Sequence, residues 1–257
     1  MPVSLTLRLD DYDLEQFAPL AASYGQATFD YVVTPNVDHV IRYWDDANFR
    51  ELYAAAGWVL LDSRLLARIL NLTRGTAPRV CTGSDLTARL FSMIAPGDRI
   101  VLIGASAQQA QRLVEIYGLK NLQHYSPPMG FIRDRRAVEQ TLEFVEAHSP
   151  FRFCFIGVGS PQQELLALEL KQRDRARGLA LCIGASINFL TGAERRAPRW
   201  MQLTNLEWLY RLLQDPGRLA KRYLVRGPRI FRLLPRLRVE LQRTTVSGGE
   251  RSSRART

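Results

Sequence analysis

The residues in this chain that could do chemistry are small, polar or acidic, and they directly follow apolar runs. Asp62 comes straight after Trp58-Val59-Leu60-Leu61. A carboxylate emerging beside apolar side chains is partly desolvated, which raises its pKa and makes it a better base near neutral pH. The same position also suits an N-cap for a helix over Leu65–Leu72, so the residue types leave base and cap both open. Ser84 and Asp85 carry a similar pair of readings: ligand contact, or cap of a helix over Leu86–Ile94. Thr34, Asn36, Ser106 and Gln163 complete the set, and each follows a predicted strand. In a parallel sheet such positions share one edge, where ligands bind.

The stretch Phe153–Glu164, FCFIGVGSPQQE, is the most informative. Its apolar start predicts a buried strand, and Gly157-Val158-Gly159 lets backbone amides approach a ligand. Ser160 is expected to cap the next helix, Pro161 to open it and Glu164 to sit in its first turn, a place that favours anions. Gln162 and Gln163 are neutral amides placed to read a polar group such as a phosphate. A dinucleotide fingerprint is incomplete, because position 162 is Gln rather than Gly. There is no P-loop, no GxSxG elbow and no HExxH. His39, His124 and His148 are scattered, with His39 and His148 expected on helix surfaces. The adjacent acids Asp10-Asp11 and Asp45-Asp46 would point apart, so no protein-held metal and no cofactor is expected.

These residues need strands to carry them. Asp30–Thr34, Gly57–Leu61, Arg99–Ile103, Leu122–Tyr125, Phe153–Ile156 and Leu179–Ile183 read as strands. Helices are expected over Val37–Ala55, Leu65–Leu72, Leu86–Ile94, Gln108–Tyr117 and Arg135–His148, and from Gln162 to Arg177. Continuously apolar strands alternating with helices of ten or more residues predict βαβ units: an α/β fold with a Rossmann-like, mostly parallel sheet covered on both faces. Gly104-Ala105-Ser106 and Gly184-Ala185-Ser186 end two of the strands, and Gly104 joins the candidate binding residues.

Charge divides the 257 residues in two. Residues 1–192 hold 19 Lys/Arg and 20 Asp/Glu, a net of −1; residues 193–257 hold 16 and 5, a net of +11. This predicts a core over 1–192, a basic amphipathic helical appendage over 193–243 and a disordered tail over 244–257. In the appendage Arg and Lys interleave with Leu, Ile, Phe and Tyr at near-helical spacing, as in helices that lie on anionic membranes. The apolar residues are chiefly aliphatic, which argues against a nucleic-acid partner. No apolar run reaches membrane-spanning length, and the N-terminus lacks the pattern of a secretory signal. Cys81, Cys154 and Cys182 lie far apart in apolar contexts and are expected to be buried thiols of a reducing cytosol.

These motifs, in this order, resemble the bacterial WecG/TagA/CpsF glycosyltransferases. The resemblance runs from about Phe29 to Leu234. It is carried by Thr34-Pro35-Asn36, Asp62, Gly83-Ser84-Asp85-Leu86, Pro127-Pro128-Met129-Gly130-Phe131, Gly157–Glu164 and Gly184-Ala185. It continues in Arg196-Ala197-Pro198-Arg199-Trp200 and Leu206-Glu207-Trp208-Leu209-Tyr210-Arg211-Leu212. Members typically have Asp-Gly where this chain has Asp62-Ser63. The resemblance implies metal-independent, inverting transfer of a hexose from a UDP-sugar to a polyprenyl-diphosphate-linked saccharide. The setting would be the cytoplasmic face of the inner membrane, reached through residues 193–243. It assigns the base role to Asp62, with Thr34 and Asn36 beside it. Ser84, Asp85, Gly104, Ser106, Gly157, Gly159, Ser160, Gln163 and Glu164 would line the pocket, and Arg196, Arg199, Lys221 and Arg222 would add charge. A nucleotide-cofactor oxidoreductase and a non-catalytic Arg-rich lipid- or RNA-binding protein are the rival classes. The hexose, the acceptor, the polymer and the oligomeric state, a homo-oligomer included, stay open.

Overall fold

The computed structural model describes residues 5–198, 200, 201, 204 and 206–243, with the side chain of Arg218 excepted. Arg199 and the 244–257 tail lie outside the described residues. Six parallel strands form the central sheet: β2 (Asp30–Val33), β3 (Trp58–Val59), β4 (Ile100–Gly104), β5 (Leu122–Tyr125), β6 (Phe153–Gly157) and β7 (Leu179–Cys182), in the order β3-β2-β7-β6-β4-β5. β4, β6 and β7 are almost entirely buried, which explains why their sequences are apolar without alternation. Helices α2 (Val37–Asp45), α3 (Ala47–Ala54), α4 (Arg64–Arg74), α7 (Arg135–Ala147) and α8 (Gln162–Arg173) bury side chains against one face. Helices α1 (Leu14–Ser23), α5 (Gly83–Phe91), α6 (Ala107–Tyr117) and α9 (Ser186–Leu190) cover the other. The α/β, Rossmann-like expectation holds.

The chain leaves β4 toward one face and β6 toward the other, so these neighbours form a topological switch point. The backbones there are too close for side chains. A Cβ on Gly104 would lie 3.0 Å from the Gly157 carbonyl, and Gly104 has φ +89°.

Several local expectations are corrected. The single helix expected over Val37–Ala55 is two, because Asp46 leaves helical geometry and caps α3 through the Asn48 amide at 2.9 Å. Helix α8 stops at Arg173, four residues short, where Asp174 turns left-handed at φ +50°. The segment before α5 is tied to the sheet rim, where the Cys81 amide donates to the Leu61 carbonyl at 3.0 Å.

The appendage departs furthest from its expected form. It is a series of short pieces: α10 (Glu207–Gln214), α11 (Pro216–Ala220), a π-helical turn over Lys221–Arg226, a 3₁₀ turn, α12 (Ile230–Leu233) and a second 3₁₀ turn. It ends in a strand, β8 (Leu237–Gln242), which pairs in parallel with β1 (Leu5–Asp10) in a separate two-stranded sheet. Gly227, Pro228 and Pro235 interrupt any long helix, and alternating Leu237, Val239 and Leu241 suit a strand. Ile230, Leu233, Leu234 and Leu237 are buried in the main core, and Arg74 donates through Nη2 to the Leu234 carbonyl. The appendage therefore leaves the core, crosses the sheet rim and returns to the core.

Candidate active site

Asp62 lies where the chain leaves β3, and it is not the cap of the helix that follows. Ser63 caps α4, accepting from the Leu66 amide at 3.1 Å, so Asp62 is free of that duty. The Asp62 amide is fixed by the Pro35 carbonyl at 2.9 Å, and its carboxylate accepts from the Gly83 amide. Burial pushes its pKa up to about 7 from an ordinary 3.8. Arg211 and the Gly83 amide oppose this, while Glu207 and Asp85 add to it. A carboxyl group poised there can accept a proton at physiological pH. A Cβ at position 83 would fall 2.9 Å from Thr34 Oγ1 and 3.7 Å from Asp62 Oδ2, so only glycine lets these two side chains sit together.

Asp62 faces a cavity of about 560 Å³. One wall comes from the core: Asn36, Asp38, Asp62, Arg64, Thr82 and Ser84. The other comes from the appendage: Glu207, Trp208, Arg211, Arg222, Tyr223 and Phe231. Glu207 accepts from Arg211 Nη2 at 3.2 Å, and the Arg211 guanidinium lies over the Phe189 ring at 4.9 Å. Arg222 donates to Asn36 Oδ1 at 3.3 Å and lies 3.5 Å from Asp38. Asp38 also pairs with Arg42 at 3.6 Å, and Arg42 donates to Ser160 Oγ at 3.3 Å. A chain of charges thus runs from the glycine turn after β6 to the appendage.

Arg196 is anchored by Asp85 at 2.6 Å. Burial alone would raise the Asp85 pKa, but the Arg196 and Thr82 hydrogen bonds and the charges of Arg196 and Arg64 hold it below the usual carboxylate range. Among the described residues, Arg196 Nε and Nη2, Arg211 Nε and Arg222 Nε are buried without a hydrogen-bond partner. Of these three, Arg211 and Arg222 belong to the cavity lining and Arg196 does not; guanidinium charge beside a cavity favours an anionic ligand.

The sequence-predicted residues divide into three groups. Asn36, Asp62, Ser84 and Arg222 line the cavity, and Thr34 and Asp85 lie directly behind it. Gly104, Ser106, Gly157, Gly159 and Ser160 occupy the same rim farther along, at the β4/β6 switch point, outside that lining. Lys221 is exposed and does not line the cavity.

Capping explains part of the pattern. Asn36 caps α2 and Ser106 caps α6, whereas α5 is capped by Thr82 and not by Ser84 or Asp85. Ser160 does not cap α8; its hydroxyl oxygen accepts from Arg42 Nη1. Gln163 and Glu164 are corrected as direct ligand contacts, since both are buried. Gln163 Oε1 accepts from the Gly184 amide at 2.9 Å, and its Nε2 donates to Glu164 at 3.0 Å. They hold the turns after β6 and β7 together. Burial raises the Glu164 pKa. His39, expected on a surface, is buried with Nδ1 3.0 Å from Tyr53 Oη; burial and the charges of Arg222 and Arg42 lower its pKa to about 3. The three cysteines are buried and free.

Sequence reasoning missed Arg42, Asp38, Glu207 and Arg211. The i,i+4 spacings of Asp38 with Arg42 and Glu207 with Arg211 were the available signals. Among the described residues no three His, Cys, Asp or Glu gather at metal-binding distance. No described helix is long and apolar enough to cross a membrane.

A Rossmann-like sheet that offers a raised carboxylate to a cavity lined in part by Arg64, Arg211 and Arg222 has the form of an α/β group-transfer enzyme. Residues 3–244 match the family model described as Glycosyl transferase WecG/TagA/CpsF family, and the chain belongs to that family. It is a glycosyltransferase, and the family works in cell-surface polysaccharide biosynthesis.

Proposed function

We propose that this chain is an inverting hexosyltransferase that moves a sugar from a UDP-sugar to a polyprenyl-diphosphate-linked saccharide. The observation that carries this reading is the Asp62 carboxyl group, with its pKa raised to about 7, in a cavity whose lining also holds Arg64, Arg211 and Arg222. The acceptor hydroxyl attacks the anomeric carbon from the face opposite UDP. As the new C–O bond forms, the hydroxyl proton passes to Asp62. The bond from the anomeric carbon to the phosphate oxygen breaks, and its electron pair leaves with UDP. Asn36 and Thr34 lie beside the base to position the reacting groups. Arg196, Arg211 and Arg222 answer the charge that develops on the leaving diphosphate, the electrostatic part of catalysis. No metal is required in this scheme, so turnover is expected to survive EDTA.

The glycine turns at the β4/β6 switch point favour the nucleotide there, because small residues and backbone amides admit phosphate closely. Exposed Trp200, Leu224, Val225 and Phe231 lie among basic residues of the appendage, which supports peripheral attachment to the cytoplasmic face of the inner membrane.

The test is a panel of UDP-hexoses, including N-acetylmannosamine, its uronic acid, glucose, galactose and glucuronic acid. Each is offered to the purified protein with short-chain polyprenyl-diphosphate saccharides. One donor should yield UDP and a glycoside of inverted anomeric configuration by NMR. Retained configuration, or no turnover with any UDP-sugar, refutes the reading.

A further inference from the structure

The cavity is chemically two-sided, and only one side is accounted for by sugar and phosphate. Away from Asp62 its lining is apolar: Trp208, Tyr223, Leu224, Pro228, Ile230 and Phe231. Trp208 and Tyr223 meet edge to face with centroids 6.1 Å apart, which fixes the inner part of this wall. Ile230 is buried in the core, so the wall is rooted there. Leu224 and Phe231 line the cavity and yet are 57% and 61% exposed. A residue that is both lining and exposed marks the mouth. The apolar part of the lining therefore reaches open solvent, with Val225 also exposed there.

We propose that this wall is a lane for the first isoprene units of the acceptor, so that the enzyme reads the lipid chain itself within the catalytic cavity. The inference rests on the polyprenyl acceptor argued above. Two features point to this occupant. The lane is continuous with the cavity holding Asp62, so its occupant must be attached to the reacting molecule. It also passes Arg211 and Arg222, two guanidinium groups of the cavity lining, whose charge suits a diphosphate between sugar and lipid. The UDP-sugar has no apolar part to fill it. A glycine-rich rim for the nucleotide and an apolar lane for the lipid would bring donor and acceptor to Asp62 from different directions.

The test uses the full chain without vesicles or micelles, so that membrane attachment contributes nothing. Acceptors share one saccharide diphosphate and differ in chain: propyl, one isoprene unit, two and three, each below its critical micelle concentration. KM should fall at least tenfold from propyl to the longest chain. Phe231→Ser and Leu224→Ser should each cut that ratio several-fold, while a UDP-induced thermal shift reports that the variants fold. Leu213→Ser is the control, because Leu213 is 72% exposed on α10 and does not line the cavity; it should keep the full ratio. Equal KM for all chains, with turnover intact, overturns the lane but leaves the acceptor class standing. A ratio that Leu213→Ser lowers as much as Phe231→Ser also overturns it, since the effect would then be general surface greasiness. Absence of transfer to any polyprenyl-type acceptor, with transfer to some other hydroxyl, removes both.

Discussion

The two walls of the cavity are held by different physics. The sheet rim rests on strands whose side chains are almost wholly buried, and its polar groups are tied by short backbone bonds, such as Asp62 to Pro35 and Gly184 to Gln163, both at 2.9 Å. The appendage wall is hydrated by comparison. Helix α10 has no buried residue, and three of its contacts with the core are ion pairs: Arg196–Asp85, Arg222–Asp38 and Arg229–Asp45. Its apolar anchor, Ile230 through Leu237, meets the cavity only at its start, through Ile230 and Phe231. A carboxylate held by backbone bonds thus faces a wall tied to the core partly by ion pairs. Burial fixes position with little dependence on conditions, whereas exposed ion pairs are screened by salt. Chemistry should accordingly belong to the rim, and substrate capture and charge stabilisation to the appendage.

The largest expected effect falls on the rim. Asp62→Asn keeps the shape and removes the base, so kcat should drop about 10²–10⁴-fold while UDP still raises the melting temperature. Turnover within threefold of the parent would remove Asp62 as base. Below its pKa of about 7 Asp62 is protonated and cannot accept, so kcat/KM should climb with pH through about 7 and level off above it. The parent enzyme should show this limb; a flat profile between pH 5.5 and 8 would contradict the raised pKa.

The same shift has a stability counterpart of smaller size. The folded pKa of Asp62 lies above its ordinary value of 3.8, so between about pH 4 and 7 the folded state binds more protons than the unfolded state. Stability from this group is therefore present at low pH and lost as pH rises through 7. Asp62→Asn should match the parent near pH 4 and melt several degrees higher at pH 8, given about 1.4 kcal/mol per pKa unit as an upper bound. A variant less stable than the parent at pH 8 would show that the carboxylate is well solvated.

On the appendage wall, Arg196→Gln should cost tens-fold in kcat/KM. It removes a guanidinium charge, and it releases Asp85, which lines up behind the cavity and whose lowered pKa depends on that partner. Arg196→Lys should rescue little, since a point charge cannot replace a planar fork. Full rescue by lysine would reduce the role to charge alone.

How much of this was legible in the sequence follows the same division. Strands buried on both faces announce themselves as apolar runs, so five of the six in the central sheet were placed within one residue at each end and the shorter β3 within two. Asp62 was legible because its neighbours are apolar, although excluding the cap needed the sight of Ser63 on Leu66. Gln163 misled because an amide after a glycine turn reads the same whether it faces ligand or backbone. The appendage was legible in charge but not in shape. Arg-Leu alternation suits a helix or a strand, and the choice for Leu237–Gln242 was made by β1, more than two hundred residues away. Arg42, Asp38, Glu207 and Arg211 stayed hidden because their roles are contacts between distant segments.

The smallest effect sharpens the comparison most. Arg229 and Asp45 form a two-bond pair at 2.8 and 2.9 Å, better aligned than the 3.5 Å contact of Arg222 with Asp38. By geometry alone it would be the stronger clamp. Both its side chains are more than 40% exposed, however, whereas Asp38 is 15% and Arg222 34% exposed. Water and salt should leave the better-aligned pair nearly worthless. Arg229→Gln should change the melting temperature by no more than about a degree and leave the salt dependence of kcat/KM unaltered. Asp38→Asn, which strips the partner from Arg222 and Arg42 together, should raise KM several-fold and flatten the salt dependence. The opposite ranking, with Arg229 dominant, would mean that alignment outweighs burial in holding the appendage, and the division between the two walls would have to be redrawn.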